Sequence, residues 1–161
     1  MNRPAHTIML WLCATAVAFG ADWPRFRGPN GDGISPETGI NKNWSQKPPK
    51  VLWTLKMSDN GYAGPAVAGG RMFIMDHQGQ SDVLRAIDMA TGSQVWEALC
   101  PDPEKDNYGF ARCTPTIDDG KVYTLTRIGV VSCHDAKDGK PIWSRDIKKD
   151  FDGQQDRKSD V

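Results

Sequence analysis

Ala63-Gly64-Pro65-Ala66-Val67-Ala68-Gly69-Gly70-Arg71-Met72-Phe73 lies over Cys113-Thr114-Pro115-Thr116-Ile117-Asp118-Asp119-Gly120-Lys121-Val122-Tyr123 at a constant offset of fifty residues. Further on, Ala86-Ile87-Asp88-Met89-Ala90-Thr91-Gly92-Ser93-Gln94-Val95-Trp96 lies over Cys133-His134-Asp135-Ala136-Lys137-Asp138-Gly139-Lys140-Pro141-Ile142-Trp143 at an offset of forty-seven. Three extra residues in the first copy, around Gly79 to Asp82, account for the change. A third, partial copy is visible in Val51-Leu52-Trp53, which matches Gln94-Val95-Trp96 and Pro141-Ile142-Trp143. Repetition at this period marks an architecture of stacked supersecondary units.

Each unit reads as four short strands. In the first, segments 65–68 and 71–75 flank Gly69-Gly70, a two-residue turn in which positive φ carries no Cβ penalty. Asp119-Gly120 supplies the same turn in the second unit. Segments 83–88 and 95–98 are joined by Asp88-Met89-Ala90-Thr91-Gly92, in which the Asp bonds forward to backbone N–H groups and the Gly takes the left-handed position. Asp135 and Gly139 repeat that chemistry. One such sheet cannot bury both its faces, but sheets stacked around an axis cover one another, with Trp53, Trp96 and Trp143 as wedges between blades. The expected fold is all-β: a partial β-propeller of about two four-stranded blades plus one extra strand around Trp53, following a signal peptide.

The pattern small-Pro-apolar, then Gly-Lys/Arg-apolar-aromatic, then Asp-x-x-Thr/Asp-Gly-x-x-Val/Ile-Trp resembles the PQQ-type repeat. That repeat is shared by quinoprotein dehydrogenases and by non-enzymatic outer-membrane assembly propellers. The arm Asp22-Trp23-Pro24-Arg25-Phe26-Arg27-Gly28-Pro29-Asn30-Gly31-Asp32-Gly33 resembles the opening of exported bacterial propellers of this kind. The resemblance implies an exported protein, periplasmic, at the cell envelope or secreted, acting as a scaffold for a protein, peptide or polysaccharide. Its alternative is a piece of a PQQ-dependent alcohol or sugar oxidoreductase, with PQQ and calcium expected only in a full-length relative. The sequence lacks the adjacent Cys pair that sandwiches the quinone, and no Asp base with calcium ligands is recognisable. Propellers close with about four to eight blades. Two blades therefore read as a truncated product without autonomous function, or as a short form that self-associates through its open blade edges.

Twenty acidic residues balance twenty basic ones, so no net field draws the chain to nucleic acid. Residues 8–19 form a charge-free apolar run preceded by Arg3, the length of a signal-peptide core and short for a membrane span. Small residues Ala18 and Gly20 place cleavage after Gly20 and leave no transmembrane span. The expected organisation is a signal peptide over 1–20, an irregular arm over 21–50, blades over 51–147 and a charged, disordered tail over 148–161. Beyond the leader there are three cysteines, so at most one bridge forms within the chain. Cys100 and Cys113 flank a Pro- and charge-rich loop that a disulfide between them would close, whereas Cys133 reads as a small buried strand residue.

No catalytic or metal-binding set is legible, and no cofactor residues are assigned. Gly28 to Gly33 lacks the strand and helix of a phosphate loop, and Pro29 removes a needed N–H. The same stretch lacks the downstream carboxylate of a calcium loop. Cys133-His134-Asp135 has the residue types of a thiol-protease triad, but neighbours on a strand point to opposite faces. His77 has no aligned partner and reads as a solvated loop residue, with a place on a binding surface as the alternative. Asp102, Glu104 and Asp106 cluster before the second blade, where a weak cation site is the alternative to the preferred reading of solvated loop charge.

Overall fold

A computed structural model describes residues 20–58, 61–102 and 110–153; the expected signal peptide and the end of the expected tail lie outside them. Eight strands form two four-stranded antiparallel sheets in simple up-and-down order. The first blade is β1 (Ala66–Ala68), β2 (Arg71–Gln78), β3 (Ser81–Asp88) and β4 (Gln94–Pro101). The second is β5 (Thr116–Asp118), β6 (Lys121–Leu125), β7 (Val130–Asp135) and β8 (Pro141–Asp146). Two unclosed sheets of this form are the partial propeller expected from the repeat.

The turns form where the sequence puts them. Asp88 Oδ1 accepts from the N–H groups of Ala90 and Thr91 and from the Thr91 hydroxyl, while Gly92 (φ 73°) donates to the Asp88 carbonyl at 2.8 Å. Asp135 Oδ1 accepts from Lys137 N at 2.7 Å, and Gly139 (φ 75°) donates to the Asp135 carbonyl at 2.9 Å. In both blades the register shifts at the same place, so that Val95 on β4 and Ile142 on β8 are left without a cross-strand partner. Such a bulge bends the outer strand and re-aims the side chain that follows it, here Trp96 and Trp143.

The tryptophans then lock blade to blade. Trp96 of the first blade donates from Nε1 to the Ala136 carbonyl of the second at 3.2 Å. Trp53 makes the same bond to Met89 of the first blade at 3.0 Å. Residues 51–57 carry no strand, so the expected extra strand lies against the first blade as an unladdered segment. Between the two blades the core gathers Phe73, Met75, Leu84, Ala86, Cys100, Phe110, Ala111 and Val122. Each large apolar side chain fully buried there contributes about 1.5–3 kcal/mol. β3 is buried along most of its length, whereas β8 is exposed at five of its six positions.

Two further segments flank the blades. The arm is irregular but anchored: Trp23 exchanges both backbone bonds with Val67 on β1, at 2.8 and 2.9 Å, and the Pro24 carbonyl accepts from Ile117 on β5 at 2.7 Å. The arm thus satisfies the free edges of both innermost strands. The charged tail begins as one helical turn, α1 (Ile147–Asp150), because Asp146 caps it by accepting from Lys148 N and Lys149 N.

Candidate functional site

The three extra residues of the first copy lengthen one hairpin. Met75 pairs with Leu84 as Leu125 pairs with Val131, but the first blade then continues through Asp76↔Val83, His77↔Asp82 and Gln78↔Ser81. This extension carries three charged or titratable side chains, and all of them are buried.

Asp76 accepts from Ser58 N with both oxygens at 3.0 and 3.1 Å, from His77 N at 2.9 Å, and from Arg85 Nη1 at 3.0 Å. Arg85 Nη1 also donates to the Lys56 carbonyl at 3.0 Å, which ties the segment following Trp53 to the hairpin. His77 is a correction to the sequence reading. It lies on β2 and is 3% exposed, with Nδ1 3.0 Å from Asp82 Oδ1 and Nε2 3.0 Å from the Gly79 carbonyl. A carbonyl can only accept, so Nε2 carries a proton, and His77 and Asp82 share one further proton across the Nδ1 contact. Burial pushes the Asp82 carboxyl above its ordinary range, opposed by the hydrogen bond from His77 and assisted by the charge of Asp102.

Asp102 is a second correction. Expected in solvent, it is fully buried and takes a two-pronged bond from Arg127, Nε to Oδ2 at 2.9 Å and Nη2 to Oδ1 at 3.0 Å. Its own N–H donates to the Gln80 carbonyl at the hairpin tip at 3.0 Å. Phe110 stacks on His77 with ring centres 3.5 Å apart, and the Arg127 guanidinium sits 5.0 Å from the Phe110 ring centre. Glu104 and Asp106 lie outside the described residues. Among the described residues the cluster sets the carboxyl groups of Asp76, Asp82 and Asp102 against the guanidiniums of Arg85 and Arg127 and the His77 imidazole. Closed to solvent and internally paired, the cluster fixes the hairpin tip against the neighbouring loop and blade.

The other expected positions fall elsewhere. Trp53, Trp96, Asp88, Gly92, Asp135 and Gly139 build the blade contacts at the opposite end of the sheets, and Trp143 stands on the second blade with Tyr123, ring centres 6.1 Å apart. The bridge expected between Cys100 and Cys113 is not made, and all three described cysteines are free. The Cys100 sulfur turns towards the second blade, 4.0 Å from His134 Nε2, whereas the Cys113 thiol donates to the Thr114 carbonyl at 3.2 Å. Among the described residues no three His, Cys, Asp or Glu side chains converge on a metal position. No carboxylate set is thus assembled for calcium among the described residues. Asp76, Asp82, Arg85, Phe110 and Arg127 were not legible as a site; the alignment gap at 79–82 was the one signal that pointed to them.

Comparison with known proteins supplies the family context. The profile of a family described as outer membrane protein assembly factor BamB matches residues 43–155. The outer membrane protein assembly factor BamB of Yersinia pestis is 26% identical over 123 residues, covering 71% of this chain and 30% of that protein. Among solved structures, the quinohemoprotein alcohol dehydrogenase of Comamonas testosteroni superposes with a TM-score of 0.61 at 24% identity, over 84% of this chain and 20% of its own. A europium-containing methanol dehydrogenase superposes with a TM-score of 0.59 at 19% identity, over 78% of this chain and 23% of its own. The chain thus spans less than a third of the length of each, and at these identities the dehydrogenases share its fold.

Proposed function

We propose, for a chain that belongs to the BamB family of PQQ-type propeller repeats, that it forms one sector of an exported, envelope-associated propeller of the quinoprotein oxidoreductase type. The observation that carries this reading is the docking of Trp96 of the first blade on the Ala136 turn of the second, repeated by Trp53 on the Met89 turn, as expected for repeats stacked in succession. Quinone chemistry in such a ring belongs to an axial site drawn from many blades. The residues of this chain supply wall and spacing there. The buried Asp76, His77, Asp82 and Asp102 set stiffens the end of the first blade without exposing a reactive group.

The likeness of both blades to two alcohol-oxidising enzymes over most of the chain favours this reading. A second reading, a non-catalytic scaffold that offers loops to a protein, peptide or polysaccharide at the envelope, is favoured by the family profile and the Yersinia relative. Among the described residues no helix is long and apolar enough to cross a membrane. The test is to isolate the product of the native locus from the envelope fraction, measure its mass, and assay it for bound quinone. Copurifying PQQ supports the oxidoreductase ring. A product free of PQQ after incubation with PQQ and calcium overturns it in favour of the scaffold.

A further inference from the structure

We propose that Cys100 and His134, facing each other across the two blades, form a two-ligand site for a soft monovalent metal ion, Cu(I). Cys100 Sγ lies 4.0 Å from His134 Nε2, and the residues are 3% and 4% exposed. His134 Nδ1 is 3.1 Å from the Gly139 carbonyl, which can only accept, so Nδ1 carries the proton and Nε2 presents its lone pair to the sulfur. The imidazole is therefore already oriented as a metal ligand.

Distance and charge select the ion. Metal–thiolate and metal–imidazole bonds of about 2.3 and 2.0 Å place the two donors about 4.3 Å apart across a linear centre, so seating an ion needs a shift of only about 0.3 Å. A tetrahedral ion would want two more ligands, and among the described residues no third His, Cys, Asp or Glu side chain joins the pair. Soft sulfur with one nitrogen and low coordination suits Cu(I). A thiolate with a monovalent cation is neutral, whereas a divalent ion would leave a net charge in a buried position.

The surroundings fit the same ion. The Cys100 thiol is buried beside the Thr124 and Ser132 side chains. Thr124 Oγ1 is itself buried and has no hydrogen-bond partner. A cavity of about 230 Å³, lined by Leu99, Cys100, Ser132, His134 and Trp143 among others, borders the pair. Binding breaks the S–H bond, forms S–Cu and Nε2–Cu bonds, and releases one proton to solvent with no electron transferred. Cys133 does not share the site, because its sulfur interacts with Tyr123.

The test uses the full chain carrying Cys13→Ser, Cys113→Ser and Cys133→Ser, titrated anaerobically with Cu(I) against a chromophoric Cu(I) chelator. The expected result is one Cu(I) and one released proton per chain, with a shift of the His134 Nε2 resonance and at least about tenfold weaker binding in His134→Asn. Should that variant fail to fold, the Nε2 resonance of the parent decides the matter. Binding that leaves this resonance in place, equal binding by a folded His134→Asn, or no competition with the chelator would overturn the site and leave a thiol that only hydrogen-bonds to the imidazole.

Discussion

Trp96 covers Gly139 so closely that a Cβ built on the glycine would stand 2.6 Å from the indole Cε3, with φ at that residue 75°. Gly120 has a similar φ of 68° but open space where its Cβ would go. The two positions separate backbone strain from blade docking. Gly120→Ala is expected to cost about 1 kcal/mol for the left-handed conformation alone. Gly139→Ala is expected to cost about 2–4 kcal/mol, because the indole must also leave its seat. Urea denaturation followed by Trp fluorescence measures both, and equal losses would show that the indole contact contributes nothing.

The Asp102–Arg127 pair predicts a large asymmetry between breaking it and replacing it. Both side chains are almost wholly buried, so Asp102→Ala removes the two-pronged acceptor of a buried guanidinium and is expected to cost about 3–5 kcal/mol. Asp102→Leu with Arg127→Met removes both charges and is expected to recover much of that loss. A double-mutant cycle by denaturant titration checks the coupling, and additive losses would contradict it.

Asp82 sets a pH dependence of opposite sign to that of an ordinary paired carboxylate. Its folded value is raised above the ordinary 3.8, chiefly by burial, so the native state binds the proton more tightly than the unfolded chain. The stabilising contribution is complete below about pH 3.8 and is lost as pH rises through the folded value. Stability of Asp82→Asn relative to the parent should therefore improve as pH rises through that window. Asp88, held low by bonds from the Thr91 N–H and hydroxyl, contributes stability above 3.8 that is lost as pH falls through its folded value. Asp88→Asn should lose ground against the parent as pH rises. Denaturation series at several pH values test both signs.

Thiol chemistry distinguishes the free cysteines from the bridge that the sequence suggested. Cys113 is half-buried, whereas Cys100 and Cys133 are buried. Native alkylation should reach Cys113 first and slowly, since burial raises its thiol, and Cys100 and Cys133 should react after unfolding in urea. Peptide mapping without reductant reads the outcome, and a Cys100–Cys113 linked peptide would contradict the structure.

Blade architecture was legible because its determinants are local. Asp88 and Gly92 close their own turn, and the repeat places Asp135 and Gly139 in the same roles. The Trp positions were legible through periodicity alone, although which carbonyl each indole meets was not. The ion cluster stayed hidden because His77 and Asp102 gain their partners through contacts between distant segments. Without Phe110 stacked on its ring, His77 is an ordinary loop histidine by sequence, and without Arg127 two strands away, Asp102 is an ordinary loop acid. Solvation was the wrong default for both, because His77 is buried against Phe110 and Asp82, and Asp102 against Arg127.

The bonds from Trp23 to Val67 and from Pro24 to Ile117 also fix an order of events. Those arm residues are synthesised before either blade, yet neither partner edge exists until the blades behind them have formed. Closing such long loops is slow and comes late. The arm around Trp23 and Pro24 is therefore expected among the last segments to be placed, so during export it would stay unfolded for as long as its blades remain behind.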